Sequence, residues 1–248
     1  MSHSTAPLLI DCGNSRLKWV QVTRGAWQPQ AAPYAGASLR DVVERAFADA
    51  PQPESIWLSC VAGESTCAAL AQFLSQRFGV APQFVRATAS AAGVHNRYTR
   101  PEQLGADRWL ALVGARGLTS AACAVVDCGT AVTVDALNAT GEFVGGVILP
   151  GLRLARASLA QATPALDTAP GSGDNCLARS TADAIAAGTR YGIAGAIERV
   201  VREFEATLGP LERIATGGDA PQILPLLNAA ARHEPDLVLK GLARLAAA

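Results

Sequence analysis

Neither sign of charge is in surplus in this chain. Lys and Arg together number 21 and Asp and Glu together 21, so the formal net charge is zero. A nucleic-acid or anionic-membrane partner calls for an excess of Lys and Arg, and none is expected here. Histidine is scarce: there are three, and none sits at metal-ligand spacing. The six cysteines are Cys12, Cys60, Cys67, Cys123, Cys128 and Cys176, and no two of them form a CxxC pair. They read as reduced core thiols of a cytosolic protein. No apolar run approaches the roughly 20 residues that a membrane-spanning helix needs. Met1 to Pro7 is polar and lacks a basic segment, so no secretory leader is expected. A GxxxxGK[ST] phosphate loop is missing, and no Ser-His-Asp or Cys-His arrangement suggests itself. Nucleotide binding, if present, proceeds without a P-loop.

What the chain does contain is enough apolar material for a packed core. Half of its 248 residues are hydrophobic and 17% are charged. That composition fits one large α/β domain or two small ones, and excludes a disordered or fibrous protein.

The most informative feature is internal. Leu8-Leu9-Ile10-Asp11-Cys12-Gly13-Asn14 reappears as Ala124-Val125-Val126-Asp127-Cys128-Gly129-Thr130. Each copy is an apolar strand that ends in Asp-Cys-Gly-polar. Each is followed by a second strand-like run, Leu17 to Val22 and Val132 to Leu137. The offset from Asp11 to Asp127 is 116 residues, far too long for a solenoid repeat. Two homologous halves are implied, over 1–118 and 119–248. In the first, Ser55 to Val61 reads as a buried strand, Ser65 to Phe78 as a helix and Gln83 to Val85 as a short strand. In the second, strands are expected over Glu142 to Leu149 and Arg213 to Thr216. Helices are expected over Leu152 to Ala160, Ala182 to Leu208 and, last, Pro221 to Ala231. Thr163 to Asp174, with Pro164, Pro170, Gly171 and Gly173, reads as an exposed loop. Hairpins followed by strand–helix alternation imply mixed sheets flanked by helices.

Three places carry candidate chemistry. An Asp-x-Gly hairpin turn exposes consecutive backbone N–H groups that can cradle phosphate oxygens. Asn14, Ser15 and Thr130 add side-chain donors, and Asp11 can hold Mg²⁺, directly or through water. A single such turn is usually an ordinary hairpin; two equivalent turns can grip a triphosphate from both sides. Next comes Gly105-Ala106-Asp107-Arg108, read on a helix that Pro101 suits as a start. Asp107 has Leu104, Leu110 and Ala111 as helical neighbours. It thus projects from an apolar surface that should raise its pKa, as a general base requires. Arg108 points elsewhere and is expected to be available to an anion. The third place is Thr216-Gly217-Gly218-Asp219, between a strand and a helix, where two glycines let a base or ribose approach closely. Ser180, Thr181 and Asp183 read by themselves as a helix cap. Tyr98 is a pocket wall or a surface residue, and His95 a loop or core histidine.

The ordered set of motifs resembles the actin, hexokinase and Hsp70 superfamily, with ribonuclease H-like halves, and within it the type III pantothenate kinase family. That family's first phosphate motif resembles Asp11 to Lys18, its substrate and base motif Gly105 to Arg108, and its second phosphate motif Asp127 to Asp135. Its Gly-Gly and Pro-Gly segment resembles Gly145-Gly146 and Pro150-Gly151. The likeness runs from Leu8 to about Ala230. It implies ATP-dependent phosphorylation of pantothenate, the first step of coenzyme A synthesis, with Asp107 as the base. It implies that Asp11, Cys12, Gly13, Asn14, Ser15, Arg16, Leu17, Lys18, Thr130, Gly217 and Gly218 meet ATP. Tyr98, Gly105, Ala106, Asp107, Arg108 and Thr181 would line the pantothenate site. Asp11 would lie near Mg²⁺, and Asp127 near a monovalent cation, K⁺ or NH₄⁺. A cytoplasmic homodimer is implied. Ser15 stands where many members have Thr, and keeps the hydroxyl. The rival readings are another small-molecule kinase of the superfamily and a non-catalytic transcriptional accessory factor.

Overall fold

A computed structural model describes residues 6–21, 26–34, 38–163 and 171–248. The chain divides into two compact units, residues 1–118 with 236–248, and residues 119–235.

The first unit contains β1 (Leu8–Cys12), β2 (Arg16–Gln21), β3 (Gln30–Pro33), α1 (Leu39–Ala46), β4 (Ile56–Cys60), α2 (Glu64–Phe78), β5 (Gln83–Phe84), a small hairpin of β6 (Ser90–Ala91) and β7 (Val94–Asn96), and α3 (Ala106–Arg116). The second contains β8 (Cys123–Cys128), β9 (Ala131–Leu137), β10 (Glu142–Pro150), α4 (Leu152–Ala162), α5 (Thr181–Leu208), β11 (Glu212–Thr216), α6 (Ala220–Ile223) and β12 (Arg232–His233). The last helix, α7 (Leu237–Ala246), returns to the first unit.

In the first unit the strand order is β3-β2-β1-β4-β5. The β1–β2 and β2–β3 pairs are antiparallel, and β1–β4 and β4–β5 are parallel. In the second, β10-β9-β8-β11-β12 run in the same order with the same senses. The duplication of Asp-Cys-Gly is therefore a duplication of topology. This is the expected α/β class with mixed sheets and flanking helices. Leu8, Leu9 and Ile10 are all buried because β1 is a central strand covered on both faces.

Each unit has its own core. In the first, Trp19 and Phe78 meet Phe47 edge-on, with centroids 5.5 Å and 6.1 Å from it. Such pairs add about 0.5–1.5 kcal/mol each beyond the area buried. The core of the second gathers Val126, Val134, Ile193, Ile197, Val201 and Ile223. A nearly buried ion pair of Arg213 with Glu198 at 2.9 Å ties β11 to α5, and Glu198 also accepts the Asn228 N–H at 2.9 Å.

Several expectations need correction. The helix expected over Pro221 to Ala231 shrinks to α6 and a 3₁₀ turn, Leu224–Leu226, because Pro225 removes a donor and blocks the helix. The final helix is α7, which packs on α3, so residues 236–248 join the first unit and not the second. Gly241 permits the contact: a Cβ there would stand 2.0 Å from the Leu110 carbonyl oxygen. Pro101 opens a short 3₁₀ turn, Pro101–Gln103, and α3 begins only at Ala106. The cysteines are not all thiols: Cys60 and Cys67 form a disulfide between the end of β4 and the first turn of α2, with Cα atoms 5.9 Å apart. Cys12, Cys123 and Cys128 are buried and free, and Cys176 is exposed. Of the loop expected over Thr163 to Asp174, residues 164–170 lie outside the described residues, as does Val22 of the strand expected to end there.

Candidate functional site

The first turn joins β1 to β2. Asp11 lies opposite Lys18 and Cys12 opposite Leu17, and the Gly13 N–H closes the turn on the Arg16 carbonyl at 3.1 Å. Asn14 and Arg16 are exposed, and Ser15 and Lys18 partly so. The side chains of Cys12 and Leu17 are buried in the core, so these two can offer a ligand only backbone.

Asp11 is the distinctive carboxylate. Its Oδ1 is enclosed and has no hydrogen-bond partner among the described residues. Burial pushes its pKa up to about 6; Lys18 pulls the other way, the Asp107 charge adds to the rise, and Ser59 lowers it slightly. An enclosed, unpartnered carboxylate oxygen fits a cation ligand. Among the described residues no group of three or more His, Cys, Asp and Glu could hold a metal. A Mg²⁺ here would therefore complete its shell with water and phosphate oxygens, as Mg²⁺ commonly does.

Asp107 stands in the first turn of α3, after Gly105, and its Oδ1 accepts the Arg108 N–H at 2.8 Å. The carboxylate folds back over the helix start, and a Cβ on Gly105 would stand 2.7 Å from that oxygen. Gly105 thus leaves the room that Asp107 occupies. Burial raises the carboxyl of Asp11. Arg108 is not a loose cation: its residue is 7% exposed, Nη1 donates to the Tyr98 hydroxyl at 3.0 Å, and its guanidinium lies 5.8 Å from the Tyr98 ring centroid. Tyr98 is positioned in turn by Asn96, whose Oδ1 accepts its backbone N–H at 3.0 Å. The first unit therefore pairs Tyr98 with Arg108, and sets Asp107 close enough to Asp11 for the two charges to act on each other.

The second turn joins β8 to β9 and is one residue shorter. Asp127 lies opposite Thr133 where Asp11 has Lys18, and the Gly129 N–H closes on the Ala131 carbonyl at 3.1 Å. The Gly217-Gly218 turn lies against it. Gly217 has φ +94°, and a Cβ on it would stand 2.4 Å from Asp127 Oδ1 and from the Cys128 carbonyl, so no side chain fits. The Asp219 N–H donates to that carbonyl at 2.9 Å, and the Gly151 N–H to the Thr130 carbonyl at 3.1 Å. Burial pushes the Cys128 thiol up to about 12, with Asp127 and then Asp219 adding to the shift. The second unit thus gathers Asp127, Thr130, Gly217 and Gly218, which the sequence holds almost ninety residues apart. Thr181 is exposed at the start of α5. There the Ser180 Oγ accepts the Asp183 N–H at 3.1 Å, the helix cap read from the sequence.

Two neighbours of the first turn escaped the sequence reading. Ser59 lies beside Asp11 in the parallel β1–β4 register. A serine inside the apolar run Ile56-Trp57-Leu58 was the available signal. Tyr34 donates to the Gly13 carbonyl, and nothing in its local sequence marks it.

Residues 7–203 match the family model described as type III pantothenate kinase. A protein named type III pantothenate kinase from Aromatoleum aromaticum is 46% identical over 241 residues, covering 96% of this chain and 97% of its own length. Among solved structures, a conserved Campylobacter jejuni protein assigned to the Baf family of transcriptional activators aligns with TM-score 0.58 at 19% identity, over 96% of both chains. A glucokinase of the ROK family from Streptomyces griseus, solved with glucose and AMPPNP, aligns with TM-score 0.52 at 12% identity, over 97% of this chain and 98% of its own. At these identities the structural likenesses speak for the fold alone.

Proposed function

Because the chain belongs to the type III pantothenate kinase family, we propose that it transfers the γ-phosphoryl group of ATP to pantothenate. The product is 4′-phosphopantothenate, which opens coenzyme A synthesis. The observation that carries this reading is the pair of topologically equivalent Asp-Cys-Gly turns, with a carboxylate on α3 close enough to the first to act on Asp11. The N–H groups and side chains of Asp11 to Lys18 and of Thr130 hold the phosphates, and Gly217-Gly218 admits the adenosine. In the first unit Tyr98, Gly105, Ala106 and Arg108 are assigned to pantothenate, with the braced guanidinium of Arg108 answering its carboxylate, and in the second unit Thr181 is assigned to it. Asp107 takes the proton of the primary hydroxyl as the new O–P bond forms and ADP departs. Mg²⁺ held by Asp11, when bound, neutralises charge on the phosphates. Steady ADP release with pantothenate, and none with hexoses or glycerol, is the expected result with purified protein. No pantothenate-dependent turnover in any of several monovalent salts would overturn the reading.

Asp127 has a separate task. Two carboxylates facing a triphosphate repel it unless cations stand between. On the family likeness, a monovalent cation, K⁺ or NH₄⁺, is assigned to Asp127 at the second turn. Exchanging K⁺ for Na⁺ should cut wild-type turnover far more than the residual turnover of Asp127→Asn. Equal wild-type rates in K⁺, Na⁺ and cation-free buffer would remove the site.

The protein is assigned as a homodimer. On α5, Ala186, Ala187 and Ala194 are buried within their own unit, whereas Ala184, Gly188, Gly192 and Gly195 are exposed and would let a second helix approach closely. Val144 and Ile148 on β10 and Leu154 and Leu159 on α4 stay exposed, Ile148 at 62%, and offer an apolar face to a second copy. A monomer mass by light scattering at micromolar concentration, with full activity, would overturn this. The site of action is assigned to the cytoplasm; no helix among the described residues is long and apolar enough to cross a membrane.

A further inference from the structure

Tyr34 follows β3 and belongs to none of the motifs above. Its backbone N–H donates to the Ser15 carbonyl at 3.1 Å, and its phenol donates to the Gly13 carbonyl. The phenol oxygen also lies 3.8 Å from Cys12 Sγ. One residue thus holds two carbonyls of the first turn. A third, that of Cys12, accepts the Val61 N–H at 3.1 Å.

The direction of the Gly13–Asn14 peptide decides what this turn can bind. In a trans peptide the carbonyl and the following N–H share a plane and point opposite ways. Gly13 has no Cβ, so its peptide plane rotates more easily than others unless something outside the turn holds it. The Gly13 N–H is already spent on the Arg16 carbonyl. With the Gly13 carbonyl held towards Tyr34, the Asn14 N–H points the opposite way.

We propose that Tyr34 is a positioning residue of the first phosphate turn, its hydroxyl fixing the Gly13–Asn14 peptide so that the Asn14 N–H meets a phosphate oxygen of the nucleotide. This rests on the assignment of that turn to ATP. Tyr34→Phe keeps the ring and the backbone bond to Ser15 and removes only the hydroxyl. A lost hydrogen bond of ordinary strength corresponds to about a 3- to 10-fold loss of affinity. The KM for ATP and the Kd for ADP should rise by about that factor. The Kd for adenosine and the KM for pantothenate should stay as in the wild type, while the Tm falls by only a few degrees. Unchanged ADP affinity would overturn the proposal. So would a parallel weakening of adenosine and pantothenate, which a general loosening of the fold produces. If Tyr34→Phe proves too unstable to titrate, the ¹⁵N–¹H resonance of Asn14 in the wild type decides. A downfield proton shift on adding ADP, absent with adenosine, supports the proposal, and no shift sinks it. Failure of wild-type protein to bind ADP at all would take the nucleotide assignment down first. Tight ADP binding that ignores Tyr34→Phe would remove Tyr34 alone.

Discussion

Replacing Asp107 by Asn is expected to lower kcat by about 10²–10⁴-fold, the usual contribution of a general base. The substitution is nearly isosteric. The amide keeps an oxygen to accept the Arg108 N–H, the bond Asp107 makes at 2.8 Å, so the start of α3 should hold its shape. The space left by Gly105 is likewise sufficient for an amide. What is lost is the basic oxygen that takes the hydroxyl proton. KM for ATP should change little, because the phosphate turn lies on different strands. Melting temperatures of the two proteins should agree within a few degrees. A folded Asp107→Asn protein with near-normal kcat would show that the proton goes elsewhere.

Asp11→Asn is expected to separate activity from stability. Turnover should fall steeply and demand much higher Mg²⁺, because the enclosed oxygen suited to the cation is replaced by a neutral amide. In the absence of ligands, however, the variant should be the more stable protein near neutral pH. Burial raises the Asp11 carboxyl from 3.8 to about 6 in the folded chain. Between those values the folded state holds the proton and the unfolded state has released it, so stability falls as pH rises. The contribution of protonated Asp11 is complete below about pH 4 and gone above about pH 6. A gap of about two pKa units corresponds to about 3 kcal/mol. Urea titrations of metal-free protein at pH 4 and pH 7 measure it. The wild type should lose stability relative to Asp11→Asn across that interval. A constant difference between the two proteins would show that Asp11 titrates normally.

How far the sequence foretells this arrangement depends on the range of the forces involved. Asp-Cys-Gly turns between alternating strands are local chemistry, and their repetition gives away the doubled topology. The Gly217-Gly218 turn is visible because only glycine suits a positive φ against another backbone. Contacts between distant segments leave no such mark. Tyr34 reaches Gly13 from the end of another strand, and Arg108 is drawn into a contact with Tyr98 that the order of residues does not announce. Likewise, nothing in the order of residues announces that Gly241 lets α7 lie against the Leu110 carbonyl. The disulfide runs against the compartment argument, yet the end of β4 and the first turn of α2 bring Cys60 and Cys67 within bonding reach.

The return of α7 to the first unit sets an order of events during synthesis. The ribosome emits residues 119–235, all of the second unit, before the segment that completes the first. Until then the face of α3 around Leu110 and Gly114, which α7 covers, waits bare in the nascent chain. Domains generally fold as units, so the first unit can close only once α7 has been made. A message truncated just before codon 236 would therefore yield a finished second unit and an unfinished first one. Chaperones would be recruited to the N-terminal part of the polypeptide although it was made first.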